Sequence, residues 1–266
     1  MRLRSALFVP CVNPRALEKS IALKTDALIF DLEDSVGPEE KTRAISQLKT
    51  LLARALFAAP YLMVRLNGPD EAQDLGDSLT KINALVLPKV EELSGLQHVS
   101  KAYPELDLWA MIETPKSVLN LGVICQCATL KGLILGPNDL RFHLNSKAMD
   151  HRRDDLAYAM GALILHARAH GLIALDGVYN DYKDIDGFSR EARFGRDMGF
   201  EGKTLIHPDQ IEPAHEAFSP TKAEFDWARA VISGFDAAPQ AGVLSIKGQM
   251  VERLHLERAK AIIALV

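Results

Sequence analysis

Leu108-Trp109-Ala110-Met111-Ile112-Glu113-Thr114 and Gly132-Leu133-Ile134-Leu135-Gly136-Pro137-Asn138-Asp139-Leu140 are two apolar runs that each end in a carboxylate. A short apolar run bounded by Gly, Pro and polar residues reads as a strand of a parallel sheet covered on both faces. A carboxylate at the exit of such a strand stands where the sheet opens to solvent. Two of them on successive strands can share one hard cation, and Mg²⁺ is commonly held by one or two protein carboxylates together with substrate oxygens.

Working outward, similar runs precede these two at Ser5 to Val9, Ala27 to Leu32, Tyr61 to Leu66 and Ala84 to Pro88, and follow them at Leu172 to Asp176 and Lys203 to Ile206. Amphipathic stretches separate them. In Glu39 to Phe57, for example, Ala44, Leu48, Leu51, Leu52 and Ala55 recur at helical spacing; Asp155 to His170 and Phe188 to Met198 behave similarly. Eight strands alternating with helices predict an α/β fold, a TIM (β/α)₈ barrel. A doubly wound sheet is the alternative, but Pro10-Cys11-Val12-Asn13-Pro14 after the first strand is not a Gly-rich phosphate turn. The barrel is expected over residues 1–218. A C-terminal helical extension, 219–266, carries a helix over Lys222 to Phe235, a Gly/Pro-containing segment, and a last helix from Met250 to Leu265. That tail has too little apolar surface to fold alone and is expected to pack on its own barrel or on a neighbouring subunit.

Composition narrows the function. The chain has 266 residues, 48% of them hydrophobic, so a large core can form. Lys plus Arg number 31 against 35 Asp plus Glu, which gives no reason to expect nucleic-acid binding. The three cysteines, Cys11, Cys125 and Cys127, have no secreted-domain spacing and point to reduced thiols in the cytoplasm. Cys125-Gln126-Cys127 lacks matching Cys or His nearby in the chain and reads as buried packing, with zinc a remote alternative. The first apolar run stops at Pro10, too early for a signal peptide or membrane span.

In a TIM barrel the active site lies at the C-terminal ends of the strands. There the chain places Glu33-Asp34, Arg65 and Asn67, Pro88-Lys89, Glu113, Asp139, Asp176 with Tyr179, and His207-Pro208. Each has a plain structural reading: Asp34-Ser35 can cap a helix, Pro208 suits a first helical turn, and Gly136-Pro137-Asn138-Asp139 can be a turn and cap. Taken together, Glu113, Asp139 and Arg65 bring three charges to one barrel mouth. Arg65 offers a planar fork for a substrate carboxylate. The Glu113/Asp139 pair is expected to repel without a cation between them, and an oxygen-only donor set favours Mg²⁺ over zinc. Glu33 and Lys89 are assigned to substrate. Arg4, Arg15 and Lys19, near the end of the first strand and on the helix after it, are the basic candidates for a phosphorylated ligand.

The ordered set Asp31-Leu32-Glu33-Asp34, Val64-Arg65-Leu66-Asn67, Leu87-Pro88-Lys89-Val90, Ile112-Glu113-Thr114, Gly136-Pro137-Asn138-Asp139-Leu140 and Gly202-Lys203-Thr204-Leu205-Ile206-His207-Pro208-Asp209-Gln210-Ile211 resembles citrate lyase beta-subunit-like proteins of the HpcH/HpaI aldolase group, which includes malyl-CoA and citramalyl-CoA lyases. The resemblance spans nearly the whole chain. It implies a TIM barrel, Mg²⁺ on Glu113 and Asp139, and Arg65 on the carboxylate of the oxo-acid half. It implies a coenzyme A thioester, with Arg4, Arg15 and Lys19 as the candidates for its phosphates, and a homotrimer in which an acid of the C-terminal extension reaches a neighbouring active site. That acid is usually Asp in a Gly-x-Met-(Ile/Val)-Asp pattern; here Gly248-Gln249-Met250-Val251-Glu252 puts Glu252 in its place. Cys11 stands where relatives often carry Gly, and Asn138 where they often carry Glu. The implied activity is a Mg²⁺-dependent carbon–carbon lyase that cleaves malyl-CoA or citramalyl-CoA into an acyl-CoA and a 2-oxo acid, with catalytic Arg65 and Glu252. The alternatives are a citrate lyase beta subunit using an acyl-carrier-protein thioester, a related thioesterase or condensing enzyme, and a non-catalytic paralogue.

Overall fold

All eight apolar runs form strands, and the strands close on themselves. The computed structural model describes residues 2–148 and 153–265. The parallel strands are β1 (Ser5–Pro10), β2 (Ala27–Asp31), β3 (Tyr61–Arg65), β4 (Ala84–Leu87), β5 (Asp107–Ile112), β6 (Leu130–Leu135), β7 (Ile173–Asp176) and β8 (Gly202–Leu205). Each pairs with the next, and β8 returns to β1 with Ser5 opposite Lys203, so the barrel has no open edge. The expected (β/α)₈ architecture is the observed one. Around it lie α1 (Pro14–Ser20), α2 (Lys41–Arg54), α3 (Leu93–Ala102), α4 (Pro115–Leu119), α5 (Leu121–Ile124), α6 (Pro137–His143), α7 (Ala157–Ala169), α8 (Ile185–Met198) and α9 (Ile211–Ala217).

Strand alternation sorts side chains into two layers. Ala6, Ile29, Met63, Val86, Trp109 and Ile134 fill the barrel interior, while Leu7, Leu28, Val64, Leu85, Leu108 and Leu133 pack outward against the helices. Trp109 is fully buried, and its register partner on β6 is Gly132. A Cβ at residue 132 would stand 2.3 Å from the indole, so glycine is what lets the largest interior side chain fit.

The chain divides into two compact units, Leu3–Phe218 and a smaller one from Ser219 onward that includes Arg2. The smaller unit contains α10 (Lys222–Ala237), β9 (Val243–Ile246), β10 (Gln249–Glu252) and α11 (Arg253–Ile263). The Gly/Pro-containing segment of the sequence reading is therefore an antiparallel hairpin, not a plain connection. Lys247 and Gly248 both adopt positive φ, 50° and 79°, as a tight hairpin turn requires. Val231, Phe235, Val251 and Leu256 form this unit's own apolar cluster. The last helix starts at Arg253 rather than Met250, with Glu252 at its N-cap and the Glu252 N–H donating to His255 Nδ1 at 2.9 Å. Among the described residues, no helix is long and apolar enough to cross a membrane.

Candidate active site

The alternation that fills the barrel also aims its polar side chains. Ala27 and Ile29 point inward, so Asp31 at the end of β2 does too; Tyr61 and Met63 do the same for Arg65, and Trp109 and Met111 for Glu113 just past β5. Asp31 and Arg65 are register partners. The Arg65 fork closes on Asp31: Nε–H donates to Oδ1 and Nη2–H to Oδ2, each at 2.8 Å. Nη1 lies 2.9 Å from Glu33 Oε2 and donates to Asp34 Oδ2 at 3.2 Å. Burial disfavours both charges, but hydrogen bonding and the charge of Arg65 still hold the Asp31 carboxyl below its ordinary range, and the guanidinium is correspondingly raised. The sequence reading did not assign Asp31 a role. Its signal was available, because Asp31 and Arg65 each lie two residues beyond an inward apolar position.

Glu113 is 1% exposed. Its Oε1 accepts the Lys89 main-chain N–H at 2.6 Å. Lys89 adopts φ 48°, a left-handed conformation uncommon for a residue with a Cβ. On the other side, a Cβ at Gly136 would stand 2.5 Å from Glu113 Oε2, so glycine alone fits beside the carboxylate. Burial, then the negative charges of Asp139 and Glu33, push the Glu113 carboxyl up to about 7 against the opposing effect of Lys89. Asp139, in the first turn of α6, is one-third exposed.

The Lys89 ammonium donates to Glu33 Oε1 at 2.5 Å and lies 3.8 Å from Asp34 and 3.9 Å from Asp139. The expected Glu113/Asp139 repulsion is thus partly compensated within the chain. Compensation is incomplete: Asp31, Glu33, Asp34, Glu113 and Asp139 outnumber Arg65 and Lys89, and the raised Glu113 carboxyl reflects it. An oxygen-only donor set with excess negative charge fits a hard divalent cation such as Mg²⁺ on Glu113 and Asp139.

Asp31, Asp34, Arg65, Glu113 and Asp139 line a cleft of about 410 Å³. Its far wall carries Asn138 and Asn180, which exchange amide hydrogen bonds at 3.2 and 2.8 Å. Glu33 and Lys89 are not among its described lining residues and act on it through Arg65, Asp34 and Glu113.

Two sequence expectations are corrected here. Asp176 does not join the mouth. Leu175 points inward, so Asp176 points outward, where Arg153 grips both its oxygens at 2.7 Å and Lys203 bonds it at 2.8 Å. Arg4 precedes β1 and so lies at the opposite rim, bonded to Asp26 at 2.8 and 2.9 Å, which removes it from any phosphate site at the mouth. Arg15 and Lys19 are exposed on α1, just after β1 exits at the mouth.

The family model for HpcH/HpaI aldolase/citrate lyase matches residues 4–208. This chain belongs to that family. It is 42% identical to a (3S)-malyl-CoA thioesterase of Cereibacter sphaeroides, over 98% of this chain and 93% of the relative. It is 30% identical to the citrate lyase subunit beta of Escherichia coli K12, over 98% of this chain and 92% of the relative. Among solved structures, the Mycobacterium tuberculosis protein CitE in complex with magnesium, acetoacetate and coenzyme A superposes with a TM-score of 0.83 at 27% identity, covering 99% of this chain and 97% of that one. The citrate lyase beta subunit of the same organism, complexed with oxaloacetate and magnesium, gives a TM-score of 0.68 at 28% identity, over 82% of this chain and 98% of that one.

Proposed function

We propose that this chain is a Mg²⁺-dependent enzyme acting on a short 3-hydroxy-acyl-CoA thioester of the malyl-CoA class, with thioester hydrolysis as its leading reaction. The observation that carries the reading is the acidic mouth: an anionic thioester can enter a cleft with excess carboxylates only alongside a divalent cation, and Glu113 and Asp139 are placed to hold one. The 42% identity to a (3S)-malyl-CoA thioesterase favours hydrolysis. Carbon–carbon cleavage is the second reading, favoured by the citrate lyase relatives and by the oxo acids bound in the structural neighbours.

Bound Mg²⁺ supplies Lewis-acid stabilisation of negative charge on substrate oxygens. Arg65 commits its Nε/Nη2 edge to Asp31 and its Nη1 to Glu33 and Asp34, so the substrate carboxylate beside the hydroxyl carbon would reach it by displacing the exposed Asp34 from Nη1. Asp31 and Glu33 fix its direction, so little orientational freedom is lost on binding. Arg15 and Lys19 are the basic residues proposed to meet coenzyme A phosphates. The protein is proposed to work in the cytoplasm as a homotrimer in which Glu252 of a neighbouring chain completes the site, taking a proton from the attacking water in hydrolysis or protonating the acyl Cα in carbon–carbon cleavage.

The test is product analysis. With (3S)-malyl-CoA and Mg²⁺, hydrolysis yields malate and free coenzyme A, whereas carbon–carbon cleavage yields acetyl-CoA and glyoxylate. Citramalyl-CoA is run in parallel. Hydrolysis products confirm the leading reading, and cleavage products replace it with the second. Turnover of neither substrate, with Mg²⁺ affinity intact by calorimetry, would refute both.

A further inference from the structure

A second set of metal-type donors lies outside the barrel, at the rim opposite the cleft. Cys125 caps the C-terminal end of α5, and His166 and His170 belong to the last turn and C-cap of α7. These helix ends feed β6 and β7 from their N-terminal sides, whereas the cleft opens at the C-terminal ends. The sequence reading found no histidine near Cys125. The fold supplies two, because α5 packs against α7; a Cβ at Gly122 would stand 3.3 Å from the His166 ring.

Donor atoms from the three side chains lie within 4.8 Å of one another. The two histidines are four residues apart on one helical face, with rings stacked at 6.3 Å and 19°. The His170 Nδ1 lies 2.9 Å from the His166 carbonyl oxygen. A carbonyl can only accept, so Nδ1 carries the proton and Nε2 keeps its lone pair, the tautomer that an outer hydrogen bond typically fixes in a metal ligand. Cys125 is buried, His166 half-buried and His170 exposed, so the set runs from the helix interface out to solvent.

We propose that Cys125, His166 and His170 form a Zn²⁺ site that staples α5 to α7, with water as the fourth ligand. Thiolate and imidazole together select zinc and similar late divalent ions over Mg²⁺, which keeps this site chemically distinct from the carboxylate mouth. Zinc bonds of about 2.0–2.3 Å put tetrahedral donors roughly 3.5 Å apart. The donors must therefore draw together by roughly 1 Å, a movement that rotation of the exposed His170 side chain can supply. Without a metal, burial pushes the Cys125 thiol up to about 11, so it is an inert thiol rather than a nucleophile.

The probe is Co²⁺, titrated into chelator-treated protein with excess Mg²⁺ present to occupy the carboxylates. Wild type is expected to bind one equivalent with a near-ultraviolet thiolate-to-cobalt charge-transfer band and the visible bands of tetrahedral Co²⁺. The band is expected to vanish in Cys125→Ser and to survive in Cys127→Ser. His170→Ala, an exposed change that leaves the fold intact, is expected to weaken binding at least about tenfold, since losing even an outer partner of a ligand costs that much. Zn²⁺ is expected to displace the cobalt colour and to raise the thermal midpoint of wild type more than that of His170→Ala. No thiolate band in wild type, a band that persists in Cys125→Ser, or unchanged affinity in His170→Ala would overturn the proposal.

Discussion

Replacing Glu113 by Gln is predicted to stabilise the metal-free protein at high pH while leaving it unchanged at low pH. The folded Glu113 carboxyl keeps its proton to about 7, against an ordinary value of 4.5, because burial and the neighbouring Asp139 and Glu33 disfavour its charge. Between those two pH values the native state binds a proton that the unfolded chain has released. Native stability from this group is therefore complete below about pH 4.5 and is lost as the pH rises through about 7. A shift of about 2.5 units at about 1.4 kcal/mol per unit makes the loss about 3 kcal/mol. Gln is isosteric with the protonated acid and can still accept the Lys89 N–H through Oε1. Urea unfolding of both proteins in chelator at pH 5 and pH 8 measures the difference. The variant should exceed wild type by under about 1 kcal/mol at pH 5 and by about 3 kcal/mol at pH 8. Mg²⁺ at about 100 times its dissociation constant would return about 2.7 kcal/mol to wild type and little to the variant. Parallel stability–pH curves for the two proteins would refute the reasoning.

Arg65→Lys keeps a charge but gives up the two-pronged bond to Asp31; a stability loss of about 1–3 kcal/mol by urea melts and a KM for the thioester raised at least about tenfold are expected. Lys203→Met removes a fully buried ammonium that bonds Asp176 and Glu191; Asp176 keeps Arg153 but Glu191 loses its near partner, which should cost about 3 kcal/mol in the same assay, with the metal affinity of the distant mouth unchanged by calorimetry. Glu252→Ala and Glu113→Gln chains, each inactive alone, should regain part of the activity when co-assembled, since mixed oligomers contain some sites with both acids; verified mixed oligomers without recovery would rule out a shared site.

The barrel was legible because each strand is a short apolar run closed by Gly, Pro or a charged residue, a pattern that survives without knowledge of the contacts. Alternation carried more than the first reading drew from it. Counting inward positions along Ala27-Ile29-Asp31 and Tyr61-Met63-Arg65 finds the central ion pair, and counting outward from Leu175 removes Asp176 from the mouth. Arg4 went wrong for a different reason: it stands before its strand, so it belongs to the rim the cleft does not open on. The hairpin at Val243–Ile246 and Gln249–Glu252 was hidden because each strand is only four residues long, too short to show a period, and neither is a core-type apolar run. The grouping of Cys125 with His166 and His170 was out of reach, since it depends on how two helices on different connections pack, which local sequence does not encode.

The positive φ at Lys89 has a consequence for how this mouth can diversify. Glu113 is oriented by an amide of the main chain on one side and by a missing side chain at Gly136 on the other. Neither depends on what residue 89 carries beyond its Cβ. Position 89 can therefore exchange its ammonium for another group, resetting the charge balance around Glu33, Asp34 and Asp139, while the carboxylate beside it keeps its aim. Selection can retune which acids the cleft welcomes at one site without having to rebuild the scaffold that points Glu113.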